Sequence, residues 1–249
     1  MAEVEKFMGV STGDIEKIMG VAVDDIETAV GLDWPASGPA YTGQTFVCFG
    51  GTTSGSEFDL TIDYKSSTSA GNASDFGDMS EAVSHGSAVG SQGARGVHGG
   101  GGKAPNWTHG RNELEYITIS STGNSQDAGD LTVARGEGPC SGGNGTRGIW
   151  SGGYASGYND TMDCMTISST GGASDFGNLN NDTGLANGSG SLTRFLHSGG
   201  ASARINIDYV AFDTTGDASD FGDLQDGTRS NAGGLATEAR IINSAGGTI

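Results

Sequence analysis

Few residues of this 249-residue chain have types and spacings that could do chemistry. Four histidines, His85, His98, His109 and His197, form no HExxH motif and no metal-like pair at short spacing. His98 and His197 read as sharing one repeat position with Phe49 and approximately with Trp150, and a position shared with aromatics points to packing. Gly188-Ser189-Gly190 sits in a Gly-rich run, without the strand-to-helix turn that exposes a nucleophilic serine. Carboxylates are spread everywhere, yet no two are singled out as a facing acid–base pair. No enzymatic activity is expected, and no catalytic residue is assigned.

Two arrangements remain. Asp75-Phe76-Gly77-Asp78, Asp127-Ala128-Gly129-Asp130, Asp175-Phe176-Gly177-Asn178 and Asp220-Phe221-Gly222-Asp223 offer the oxygen ligands that hard cations such as calcium prefer. None reaches the ligand density of a calcium loop, so the first Asp is expected to cap its own turn through backbone N–H groups, with no cofactor or metal site. The long segment from Lys103 to Arg111 carries Trp107, His109 and Arg111, and its counterpart one unit on carries Tyr154 and Tyr158. Exposed aromatic rings beside polar groups can stack on a pyranose and select its hydroxyls, so these five residues are the candidate ligand-binding set.

What must position them is a repeated element. The Asp-x-Gly-(Asp/Asn) turns are separated by 52, 48 and 45 residues, preceded at constant spacing by Tyr64, Tyr116, Cys164 and Tyr209 and by Gly71, Gly123, Gly171 and Gly216. Each unit opens on a short apolar run: Phe46-Val47-Cys48-Phe49-Gly50-Gly51, Arg95-Gly96-Val97-His98-Gly99-Gly100, Arg147-Gly148-Ile149-Trp150-Ser151-Gly152 and Arg194-Phe195-Leu196-His197-Ser198-Gly199. A fifth copy begins at Arg240-Ile241-Ile242 and is expected beside the Phe46-Val47 unit, closing a ring of four or five blades. Alternating runs such as Ile117-Thr118-Ile119 read as half-buried strands, and Gly184 to Gly190 suits a crowded axis where only small residues fit. A unit this small buries little surface alone, so neighbours must cover one another, as propeller blades do.

The first thirty residues repeat differently, every 11 residues, from Val4-Glu5-Lys6-Phe7-Met8-Gly9-Val10 to Ile15-Glu16-Lys17-Ile18-Met19-Gly20-Val21 and Ile26-Glu27-Thr28-Ala29-Val30-Gly31-Leu32. Apolar residues at i, i+3 and i+4 predict short helices, with Val4, Phe7, Met8, Ile15, Ile18, Met19 and Ile26 forming a docking or capping stripe. The expected organisation is therefore helical repeats over 1–33, a linker over 34–40 and a β-domain over 41–249.

Composition narrows the classes. Forty-six glycines with four prolines exclude collagen, and a net charge of −18 disfavours nucleic acid and anionic membranes. No apolar stretch is long enough for a spanning helix, and the acidic start lacks the features of a signal peptide. Cys48, Cys140 and Cys164 show no CxxC spacing, and Cys48 and Cys164 are expected as small core residues.

An apolar strand ending in Gly-Gly, followed by a loop and a Tyr-bearing strand, resembles kelch-type repeats; the Trp usual downstream is missing, with Phe76, Phe176 and Phe221 near its place. The wording (Ile/Leu)-(Asp/Glu)-Tyr, Ser-Thr-Gly-Asn and Asp-Phe-Gly-Asp-Leu looks like kelch-like repeat proteins of tailed bacteriophages, and the Ile-Glu-Lys-Ile-Met-Gly-Val units look like leading segments of phage virion proteins. The resemblance implies a mainly β chain, a small kelch-like β-propeller behind a short helical segment. It further implies a structural virion protein of the tail fibre, tip or head decoration type, located in the virion. Expected partners are capsid, tail or adaptor proteins, host surface glycans and further copies of the chain, without nucleic acid or membrane insertion. The alternative is a soluble intracellular kelch-like interaction module.

Overall fold

A computed structural model describes residues 6–7, 10–11, 17–18, 21–22, 45–52, 58–91, 94–103, 106–154, 156–201, 204–225, 234–236 and 241–243, with side chains from 45 to 225 apart from those of 106–108. The chain divides into two compact bodies, Met1–Thr42 and Gly43–Ile249.

In the first body β1 (Lys6–Phe7) pairs antiparallel with β2 (Val10–Ser11), and β3 (Lys17–Ile18) with β4 (Val21–Ala22). The 11-residue period is thus kept, but as two-residue ladders rather than the predicted helices at these positions. The physical reason is local: Phe7 pairs with Val10 and Ile18 with Val21, and the Met-Gly dipeptide that separates each pair in the sequence has a composition that favours turns over helix. Of the expected docking residues, Phe7 and Ile18 lie in these strands, while Val4, Met8, Ile15, Met19 and Ile26 fall outside the described residues.

The second body is built from antiparallel sheets in chain order. Repeat I has β5 (Thr45–Thr52), β6 (Phe58–Ser66) and β7 (Ser74–Ser84). Repeat II has β8 (Ser87–Gly90), β9 (Arg95–Gly99), the short β10 (Gly102–Lys103), β11 (Asn106–Thr118) and β12 (Gln126–Arg135). Repeat III has β13 (Cys140–Gly143), β14 (Arg147–Ser151), β15 (Asn159–Thr166) and β16 (Ser174–Thr183). Repeat IV has β17 (Asn187–Gly190), β18 (Arg194–Ser198), β19 (Asn206–Ala211) and β20 (Ser219–Asp223). The last two strands, β21 (Gly234–Ala236) and β22 (Ile241–Asn243), pair with each other. They form a separate sheet from β5, so the expected ladder between the fifth copy and the Phe46-Val47 unit is not formed among the described residues. β10 joins repeats I and II by pairing with both β7 and β11.

The core consists of three layers, one between each pair of successive repeats. Ile62, Phe76, Met79 and Val83 meet Ile117; Leu114, Ala128 and Leu131 meet Trp150, Met165 and Ile167; Met162, Phe176 and Leu179 meet Phe195, Val210 and Phe212. The inner strands of neighbouring repeats touch, β8 with β13, β13 with β17 and β17 with β21. There, a Cβ on Gly188 would stand 2.6 Å from the Ser141 carbonyl oxygen, so the small residues of the inner strands answer to close backbone approach.

Candidate functional site

A second use of glycine fixes the outer edge of each interface. In three of the four motifs the first Asp accepts a hydrogen bond from the Gly two residues on: Asp127 Oδ1 from Gly129 (2.7 Å), Asp175 Oδ1 from Gly177 (3.0 Å) and Asp220 Oδ1 from Gly222 (2.9 Å). This is the capped turn expected from sequence, and it leaves the strand bulged. The bulge receives the third-to-fourth-strand turn of the next repeat. Gly123 and Ser125 donate to the carbonyls of Phe76 and Asp78, Gly172 and Ala173 to those of Ala128 and Asp130, and Gly216 and Ala218 to those of Phe176 and Asn178. A Cβ on Gly77 would lie 2.5 Å from the Gly123 carbonyl, and one on Gly177 as close to that of Gly216.

Deeper in each interface sits a carboxylate on the third strand. Glu115 accepts from the Ser80 amide (2.9 Å), Asp163 from the Thr132 amide and hydroxyl (3.3 and 2.5 Å), and Asp208 from the Asn180 amide and side chain (3.2 and 2.7 Å). Ser80, Thr132 and Asn180 occupy one repeat position, so each carboxylate latches onto the preceding sheet. Asp163 also pairs with Arg135, both side chains fully buried, and Arg135 donates to the carbonyls of Gly152 (2.9 Å) and Thr161 (2.7 Å). Burial pushes the Glu115 carboxyl up, but hydrogen bonds from Ser80, the Arg111 charge and Ser125 outweigh it and hold it below the ordinary range. This acid at a constant position beside Tyr or Cys was visible in the sequence, and its role between repeats was missed.

The histidine alignment needs a one-residue correction. His98, Trp150 and His197 face Glu115, Asp163 and Asp208 across the sheet, and Cys48, not Phe49, faces Asp63. The run of glycines from Gly99 to Gly102 allowed the slip. Cys48 is exposed, contrary to the expected core placement, because no sheet among the described residues packs over it; Cys164 is partly buried against the third layer. His98 stacks on Phe49 at 5.5 Å between ring centroids, and Trp150 Nε1 donates to the Ser87 carbonyl (3.1 Å). His197 Nδ1 lies 3.1 Å from Cys140 Sγ and 2.9 Å from Ser151 Oγ. Burial drives His197 down to about 3 and Cys140 up to about 12, so thiol and imidazole are both neutral. An activated nucleophile is the opposite state.

The loops joining second to third strands and the connections joining one repeat to the next emerge on one face. There Tyr154 and Tyr158 meet edge to face, centroids 5.5 Å apart, and Tyr154 bridges to Gly136 of the preceding repeat. Burial, Glu137 and Tyr154 together raise the Tyr158 hydroxyl. His109 is exposed; Trp107 lies in β11, with its side chain outside the described residues. Arg111 is turned inward, 1 % exposed, with Nε on Glu113 and Nη1 on Glu115, both at 3.2 Å.

On this same face a concavity of about 340 Å³ opens where the inner strands begin, lined by His85, Ser87, Pro139, Ser141, Leu185 and Asn187 among others. Three non-glycine residues, His85, Glu137 and Leu185, take left-handed φ values of 58°, 22° and 55° at its connections. They stand at one repeat position, ten residues after the leading Asp, a regularity the sequence carries but the reading did not use. Among the described residues, no group of three or more His, Cys, Asp or Glu could hold a metal ion.

No protein-family model matches the chain, and no curated protein matches it. Many solved structures do. One, described as the structure of YjhT, superposes with a TM-score of 0.61 at 11 % identity, over 77 % of this chain and 71 % of that one. At such identity the likeness is one of fold alone: a mainly β chain of repeated antiparallel sheets.

Proposed function

We propose that this chain is a non-enzymatic structural protein of a bacteriophage particle, a tail-fibre, tip or head-decoration component. In this reading the repeats are kelch-like β-propeller blades that present their second-to-third-strand loops to host surface glycans or to neighbouring virion proteins. The observation that carries it is a division of labour among side chains. Cys140, His197, Arg135, Asp163, Arg111 and Glu115 are buried between sheets, either neutral or paired with one another. The aromatic pair Tyr154–Tyr158, His109 and the concavity lined by His85 and Asn187 share one open face. Such a face suits stacking and hydrogen bonding to hydroxyl-rich ligands, while a rigid repeat scaffold suits display.

Gold-labelled antibody on purified particles, viewed by electron microscopy, tests the virion assignment. Label at a vertex, collar or tail tip is expected; antigen left in the soluble lysate overturns it in favour of an intracellular partner. For the glycan part, Tyr154→Ala with Tyr158→Ala is expected to reduce adsorption to host cells at least tenfold. Unchanged adsorption removes the receptor role.

A further inference from the structure

The internal interfaces share most of their connectors, and repeat IV presents them uncovered. Phe76 and Phe176 are 3 % and 2 % exposed beneath the following repeat, whereas Phe221, at the same position, is 54 % exposed. A Cβ on Gly77 or Gly177 would strike the next turn; on Gly222 it meets nothing within 4 Å. Arg95 donates to the carbonyls of Ser168 and Ser169 in the next repeat, and Arg147 to that of Phe212. Their counterpart Arg194 is exposed and lies over its own Tyr209. The strand pair β21–β22 touches this repeat along the inner strand β17.

Repeat I shows the complementary deficiency. Glu115, Asp163 and Asp208 are 4 %, 0 % and 3 % exposed on the preceding sheet, while Asp63 at the same position is exposed. Phe195 is buried, and its counterpart Phe46 is 65 % exposed. Positions filled elsewhere by Ile117, Met165 and Val210, and by Ile119, Ile167 and Phe212, hold Lys65 and Ser67. Among the described residues repeat I has no inner strand, its sheet beginning at β5.

We propose that the open face of repeat I in one copy docks on the open face of repeat IV in a second copy, head to tail. The trailing face of repeat IV is shaped for a strand and turn of this repeat type, as three internal interfaces show. Among the described repeats, repeat I is the one whose strand and turn of that type are uncovered. In the docked pair Asp63 accepts the Gln225 amide, as Asp208 accepts that of Asn180, and the 70–73 turn seats on Gly222. Lys65 faces Asp220 and Asp223, a favourable match on a chain with 12 Lys and Arg against 30 Asp and Glu. The incoming β5 displaces the three-residue β22 from β21, which then supplies the missing inner strand. Lys65 and Ser67 keep the leading face soluble when uncovered, so the contact is reversible and heterologous.

Sedimentation of the full chain across micromolar to submillimolar concentrations tests this. The mass is expected to rise with concentration above 25.1 kDa. Asp63→Arg, which disables only the leading face, and Arg194→Glu or Phe221→Asp, which disable only the trailing face, are each expected to stay monomeric. An equimolar mixture of Asp63→Arg with Arg194→Glu restores a dimer, because one intact face of each kind remains. Asp182→Arg, on a different surface, leaves association unchanged, and circular dichroism checks that every variant folds. A wild-type mass that stays monomeric, association unaffected by these changes, or no dimer in the mixture overturns the proposal.

Discussion

The interfaces between repeats II and III and between repeats III and IV solve one problem with different chemistry. Both place a third-strand carboxylate on the backbone of the preceding sheet. In the first, Asp163 is matched by the buried guanidinium of Arg135, and the neighbouring position holds Trp150. In the second, Asp208 has the neutral Asn180 side chain as partner, and the neighbouring position holds His197 against Cys140 and Ser151. The position of the carboxylate is therefore what the architecture requires, and a counter-charge is optional. Between repeats II and III, loss of the charge partner leaves an ion stranded; between repeats III and IV, the neighbouring imidazole brings pH sensitivity.

The largest expected separation comes from removing the two carboxylates. Asp163→Ala leaves Arg135 buried without its ion partner and should cost about 3–5 kcal/mol in denaturant unfolding. Asp208→Ala strands only neutral amide groups and should cost about 1–3 kcal/mol. Equal losses would break the comparison.

The next effect is pH. Burial holds His197 at about 3, and His98, under burial and the nearby Arg111 charge, at about 4, against 6.5 for an ordinary ring. The unfolded chain thus binds these protons first, so their contribution is complete above pH 6.5 and is lost as pH falls toward those values. His197→Phe should flatten the decline in melting temperature with acidification, an effect of at most about 5 kcal/mol. A decline as steep as that of the wild type would contradict this assignment.

The smallest effect compares a covered glycine with an uncovered one. Gly177 and Gly222 share nearly the same φ, +134° and +133°, but only Gly177 faces another turn. Gly177→Ala should cost about 2–3 kcal/mol and Gly222→Ala only about 1 kcal/mol from its backbone strain. Thermal denaturation of both variants would show whether the contact or the conformation dominates.

Much of this architecture was legible before any coordinates. The repeat period, the strand runs and the Asp-capped turns follow from local chemistry, because Asp, Gly and alternating apolar residues act within a few positions. What was not legible depended on register or on distant partners. Val4 to Val10 satisfies a helical stripe and a hairpin around Met-Gly equally well, since two-residue strands are too short for periodicity to separate them. Arg111 looked like a ligand contact in a long loop, but the register shift beside Glu113 turns it toward Glu115. The latches of Glu115, Asp163 and Asp208 reach back 28 to 35 residues, so no local pattern discloses them.

The left-handed residues His85, Glu137 and Leu185 carry one last consequence. A basic, an acidic and an aliphatic side chain occupy the same strained place, each at a cost of roughly 1–2 kcal/mol that glycine would avoid. The backbone there is held by its neighbours, as in the Leu185 amide donating to the Gly138 carbonyl at 2.8 Å. Identity at the partly exposed His85 and Glu137 is thereby only loosely tied to folding, whereas Leu185 is buried. The two partly exposed positions are letters written on one rim, open to rewriting by selection or by design while the scaffold beneath stays the same.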